Sequence, residues 1–265
     1  MLLSFENLGP WRIALGIIAA LVTAFLVCPL VLIVMLSFDS SPWLVFPPPH
    51  WTLRWYRELF TDPDWLGSFM VSLEVGLTVT VLSVLLGLIT AIGISRTRTA
   101  WRPTCETAFL MPMILPVVVT AIALYAFFLR IHLNGTFCGF VIAHLILALP
   151  FSVGAILNGL AHIDPAIENA AVLCGSSRTY AIMRITLPSL RPALFSAAIF
   201  SFLASWDEVV VAIFMASPSL QTVPVRIWGN LQQDLSPVIA AVSTVLIVLS
   251  GLFIFGANFM KSEKK

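Results

Sequence analysis

Residues 163–188 read IDPAIENAAVLCGSSRTYAIMRITLP and lie between two apolar runs, 136–159 and 193–216. Asp164 before Pro165 is a helix-start signal, because proline's missing N–H is no loss in a first helical turn. A short helix is predicted over 166–174, with small residues on part of its surface. Gly175 ends it, since glycine alone enters left-handed backbone cheaply. A second short amphipathic stretch follows, and Pro188 and Pro192 punctuate the approach to the next apolar run. Small residues let another surface approach a helix backbone closely. Two short helices in a corner therefore make either a rigid docking knob or an interfacial loop lying on lipid headgroups.

Outward from this loop, the apolar runs continue at 13–36, 67–95, 107–130 and 237–259, giving six with the two flanking ones. Run 13–36 reaches roughly 36 Å at about 1.5 Å per residue, enough to cross a bilayer core of ~30 Å. It exceeds the roughly 7–15-residue core of a cleaved signal peptide and is expected to be retained. Met111-Pro112 and Leu115-Pro116 are predicted kink sites in the third run. Segment 37–66 is polar and rich in proline and tryptophan, with Trp43, Trp51, Trp55 and Trp65 suited to a membrane–water boundary.

Composition agrees. Hydrophobic residues are 59% and charged residues 10% of the 265, with mean hydropathy +1.00. A soluble domain carries roughly a quarter charged residues, so the solvent of this chain is lipid. A net charge of +1 gives no basic footprint for nucleic acid. Cys28, Cys105, Cys138 and Cys174 are scattered without metal-type spacing and read as packing residues. No phosphate-binding G-x-x-x-x-G-K-[ST], H-E-x-x-H or G-x-S-x-G occurs, so an intramembrane enzyme is disfavoured and ATP, if used, belongs to another chain.

Lysine and arginine set the orientation. With the first residues inside, ten lie on the cytoplasmic side (Arg12, Arg96, Arg98, Arg102, Arg178, Arg184, Arg191, Lys261, Lys264, Lys265) and four outside (Arg54, Arg57, Arg130, Arg226). Both termini and loop 160–192 are thus expected in the cytoplasm. The organisation expected is 1–66 as first helix plus external segment, 67–260 as a five-helix core, and 261–265 as a tail.

Three acids fall inside apolar runs: Asp207 and Glu208 in the fifth, Glu74 in the second. Each costs several kcal/mol in hydrocarbon unless paired, hydrated or protonated, so such residues usually face a bundle interior or cavity. By helical rise, Asp207 lies roughly 13 Å and Glu74 roughly 10 Å below the outer edge. Trp206 and Tyr125 are candidates for the same level, where aromatic faces attract ammonium groups. The functional reading is an acidic, aromatic-lined site for a small cation. The structural one has Asp207 or Glu208 capping broken backbone or bonding a neighbouring helix, and Glu74 bonding within the bundle. Glu106 sits at a cytoplasmic helix start, where it suits the dipole.

The loop resembles the signature of permease subunits of ABC importers, E-A-A-x(3)-G-x(9)-I-x-L-P. Ala170, Ala171, Gly175, Ile185, Leu187 and Pro188 fall in register, while Asn169 occupies the glutamate position and the acid is Glu168. One residue turns a side chain by about 100° on a helix. Residues 201–211, SFLASWDEVVV, resemble the fifth helix of spermidine/putrescine permeases, as do Ser217-Pro218, Val223-Pro224 and Leu235-Ser236-Pro237. The resemblance implies an all-α transmembrane bundle of about six helices of the type I ABC importer permease kind in a bacterial inner membrane. It also implies a second permease subunit, two ATP-binding subunits that carry ATP and Mg, an external substrate-binding protein and a small cationic substrate. It implies no cofactor in this chain. Glu168, Asn169, Ala170, Ala171, Gly175, Ile185, Leu187 and Pro188 are then the ATPase-docking set. Asp207, Glu208, Trp206, Glu74 and Tyr125 are the substrate set. Another small solute as cargo, or a self-sufficient channel or secondary transporter, remain the alternatives.

Overall fold

The computed structural model describes residues 11–97, 101–233 and 236–262, without the side chains of Arg12 and 253–262. Arg98, Leu235, Lys264 and Lys265, used above, lie outside the described residues, as do the side chains of Arg12 and Lys261. The chain divides into two compact units, Met1–Asp62 with Asn230–Val248, and Pro63–Gly229 with Leu249–Lys265.

In the first unit, α1 (Trp11–Leu36) is apolar on every side, and Leu21, Phe25 and Leu26 are exposed. A helix with no polar face is a lipid-solvated one. The chain then folds around Asp39, which is fully buried. Its carboxylate accepts from the Ser41 and Val45 N–H groups at 3.0 and 3.1 Å, and its carbonyl accepts from the Trp55 indole. Ser37 bonds the Tyr56 hydroxyl at 2.6 Å, fixing α2 (Arg54–Thr61) against the end of α1. Trp55 is buried here while Trp43 and Trp51 stay exposed, so the tryptophans divide between packing and surface.

The second unit is built on three long helices: α3 (Pro63–Arg96), α6 (Phe137–Ala161) and α10 (Arg191–Trp206). α3 buries Ser68, Ser72, Gly76, Ser83, Gly87 and Ala91, a stripe of small residues at helical spacing. In lipid there is little hydrophobic drive between helices, so close backbone approach and hydroxyl bonds hold them. A Cβ on Gly87 would lie 2.4 Å from Ser152 Oγ of α6, and one on Gly159 of α6 would lie 2.4 Å from Ala193 Cβ of α10. Ser201 donates to Ser83 at 3.0 Å, and His144 and Ser205 share a bond of 2.9 Å. Ala91, Ile156, Leu160, Leu190 and Ala197 close one end of this core.

Several boundaries differ from those expected. The second run starts at Pro63 rather than 67, because Pro63 and Asp64 supply a helix start inside the polar segment. Its 34 residues reach roughly 51 Å, well beyond the hydrocarbon core. The third run is not one kinked helix. α4 (Arg102–Leu110) and a tight turn at Met111–Met113 meet α5 (Val117–Arg130) at 92°. Pro116 is extended (φ −57, ψ 122) and has no N–H to give, so the chain turns a corner there. The fifth run is also divided. α10 stops at Trp206, and α11 (Val210–Met215) resumes beyond a short gap. A further helix missed by hydropathy, α12 (Val223–Gln233), precedes α13 (Val238–Ser262). Among the described residues, three helices are long and apolar enough to cross a membrane, and two bent pairs qualify as further spans. A bundle of about six apolar segments describes them, α13 being the last.

Candidate functional site

The loop after α6 is folded throughout. Asp164 caps α7 (Pro165–Leu173) by accepting from the Ala166 N–H at 2.8 Å. At the other end Gly175 has φ +95, in the left-handed region. Its N–H bonds the Val172 carbonyl at 2.9 Å, and the Ser176 N–H bonds the Ala171 carbonyl at 3.1 Å. These are the two bonds of a Schellman ending, which glycine makes available. Ser177 then caps α8 (Arg178–Ala181), accepting from the Tyr180 N–H at 3.2 Å. A wide turn at Ile182–Thr186 and the short α9 (Leu187–Ser189) deliver the chain to Leu190, buried in the core.

The docking set divides across α7. Asn169, Ala170 and Gly175 are exposed, and with them Ile167, Val172 and Leu173, the last 88% exposed. Ala171, Ile185, Leu187 and Pro188 are half-buried. Glu168 turns the other way and is buried, where one carboxylate oxygen accepts from both Arg96 of α3 and the Thr186 hydroxyl. Arg96 entered the sequence reading only as a topology charge, and Thr186 not at all. The signal for both was Glu168 itself, an acid on the inward side of a loop helix.

The second group gathers around the gap between α10 and α11. Asp207 is exposed at the C-terminus of α10, its N–H bonded to the Leu203 carbonyl at 3.1 Å. Glu208 is half-buried and accepts from the Val211 N–H at 2.8 Å, capping the start of α11. This is the backbone-capping role weighed for the pair, and it falls to Glu208 alone. Trp206 is buried and stacked on Phe202 at 5.3 Å between ring centroids. Its face is committed to packing, and its indole nitrogen has no partner among the described residues. Tyr125 packs on Phe214 of α11 at 5.8 Å. Glu74 stands exposed on α3, and no hydrogen bond or ion pair joins it to Asp207 or Glu208 among the described residues.

The chemistry of the gap follows from its ends. A helix C-terminus carries unsatisfied carbonyls and roughly half a negative charge, and Asp207 adds a full one. A broken helix that presents carbonyls and a carboxylate together suits a cation. Glu208 sits at a helix start, where one carboxylate oxygen is already engaged by the Val211 N–H.

An all-helical bundle with bent spans and a pre-folded loop is the architecture of a polytopic integral membrane protein. Residues 83–262 match the family of binding-protein-dependent transport system inner membrane components, and the chain belongs to that family. The spermidine/putrescine transport system permease protein PotC of Escherichia coli is 27% identical over 96% of this chain and 96% of its own length. The putrescine transport system permease protein PotI of the same organism is 29% identical, covering 97% and 93%. A putative 2-aminoethylphosphonate transport system permease protein, PhnV of Salmonella paratyphi A, is 27% identical, covering 91% and 93%. Among solved structures, a bacterial ABC transporter involved in the import of the acidic polysaccharide alginate has a similar fold. Its TM-score is 0.72 at 17% identity, covering 96% of each chain.

Proposed function

We propose that this permease subunit imports polyamines of the spermidine/putrescine class, driven by ATP hydrolysis in partner chains. The observation that carries the cargo is end-to-end similarity to PotC and PotI, whose names state those substrates. In this reading two ATP-binding subunits hold ATP and Mg, a second permease completes the pathway and an external binding protein delivers the polyamine. Loop 160–192 and both ends of the chain face the cytoplasm. The exposed side of α7 seats in an ATPase subunit, whose closure rocks the membrane helices between two access states. Asp207 offers its carboxylate to the ammonium groups that pass the α10–α11 gap.

ATP-dependent uptake of labelled putrescine by the reconstituted complex tests the reading. Uptake that is saturable and lost without the binding protein is expected. A second reading, 2-aminoethylphosphonate as cargo, is supported by the similarity to PhnV. That solute shares the ammonium but carries an anion that Asp207 repels. Competition by 2-aminoethylphosphonate and not by spermidine would favour it.

A further inference from the structure

The docking loop runs directly between α6 and α10, while α3 is joined to it only through non-covalent contacts. We propose that Glu168 is a positioning residue acting within the chain, its ion pair to Arg96 carrying displacement of the loop to α3. The proposal rests on the docking reading above. Three segments meet on one carboxylate oxygen: α3 through Arg96, α7 through Glu168 itself, and the wide turn after α8 through Thr186. Arg96 is the last residue of α3, so force on the pair enters that helix at its end. α3 is a continuous rod, and at its far end Ser72 accepts from the Val223 N–H at 2.8 Å while Arg226 donates to Ser68 at 2.7 Å. A push on α7 therefore has a direct path along α3 to the opposite side of the bundle.

The chemistry of α7 supports this division of labour. Glu168 is 3% exposed, and its neighbour Asn169, about 100° further round, is exposed and neutral. Away from Glu168 the exposed positions include Ile167 and Leu173, so docking there is apolar contact and close backbone approach. A buried carboxylate left without its cation is strongly disfavoured, which keeps the loop and α3 together through the transport cycle.

The test uses the full complex in proteoliposomes, with the ATPase, partner permease, binding protein and labelled putrescine. Glu168→Gln and Arg96→Gln should each keep the ATPase subunit on co-purification and keep hydrolysing ATP. Putrescine taken up per ATP should fall roughly fivefold. Arg96→Glu combined with Glu168→Arg should regain at least half of the loss, a recovery that a purely apolar packing role would not give. Arg96→Lys, which keeps the charge and loses the fork, should fall between wild type and Arg96→Gln. An unchanged ratio in both glutamine variants overturns the proposal. Loss of the ATPase subunit that the swap does not restore also overturns it, and makes Glu168 a docking contact. A wild-type complex that does not retain the ATPase subunit fails the docking reading itself, and one that retains it without taking up putrescine fails the cargo reading, before any variant is compared.

Discussion

Two adjacent acids in the α10–α11 gap have different physical situations, although the sequence presents them alike. Glu208 accepts from the Val211 N–H and holds the gap open as backbone geometry, while Asp207 is exposed beside helix carbonyls. Asp207→Asn removes charge and keeps size, so putrescine uptake is expected to fall about tenfold, an electrostatic loss of ordinary magnitude. Assembly with the ATPase should be intact. Glu208→Gln retains an amide oxygen for Val211 and should cost less than Asp207→Asn. Glu208→Leu loses the cap and should destabilise the purified chain by about 1 kcal/mol, read from thermal unfolding in detergent. Equal uptake defects in Asp207→Asn and Glu208→Gln would show that the charges act together. At Gly87, valine would need space that Ser152 occupies, and separating α3 from α6 should cost about 1–3 kcal/mol. Gly16→Val, with open space around it, is the matched control and should be neutral.

Elements differ in how far local chemistry specifies them. The loop helix was legible almost to the residue, because Asp164, Pro165 and Gly175 each act on their own backbone. Long apolar helices were legible for the same reason, since hydropathy reports the solvent directly. The α10–α11 gap was not, since no glycine or proline marks it and the competing acceptor is a side chain three residues from the N–H it takes. The 92° corner at Pro116 was half legible: proline forecast a disturbance, but its angle depends on what packs beyond it. Glu168 shows the limit for sites, as its partners lie 72 residues earlier and 18 later in the chain. The loop also supports a test. Gly175→Val puts a β-branched residue at φ +95, a strain of roughly 1–3 kcal/mol that undoes the Schellman ending. Co-purified ATPase and binding-protein-stimulated hydrolysis should both drop, while membrane insertion is unchanged. Normal values for both would show that α7 is not the docking element.

For the whole molecule, everything proposed about coupling depends on which side of the membrane each end of α6 occupies. Charge favours one orientation: ten of fourteen Lys and Arg residues fall on the side assigned to the cytoplasm. The chain carries its own probes for it. Cys138 lies in the first turn of α6 and Cys174 caps α7 just beyond the other end, and both are exposed. The 25 residues of α6 separate these ends by roughly 37 Å, more than the hydrocarbon core, so the two thiols report opposite faces. Cys28, inside α1 among apolar neighbours, should react poorly with any charged reagent, because the reagent's charge is excluded from the hydrocarbon core. In intact cells, a variant retaining only Cys138 should be labelled by a membrane-impermeant maleimide. A variant retaining only Cys174 should be labelled only after the inner membrane is opened. Bound ATPase subunit should then protect Cys174, which sits beside the exposed Leu173, and leave Cys138 unaffected. The inverse pattern would put α7 outside the cell, away from any ATP, and the loop would lose its role in transport whatever its shape.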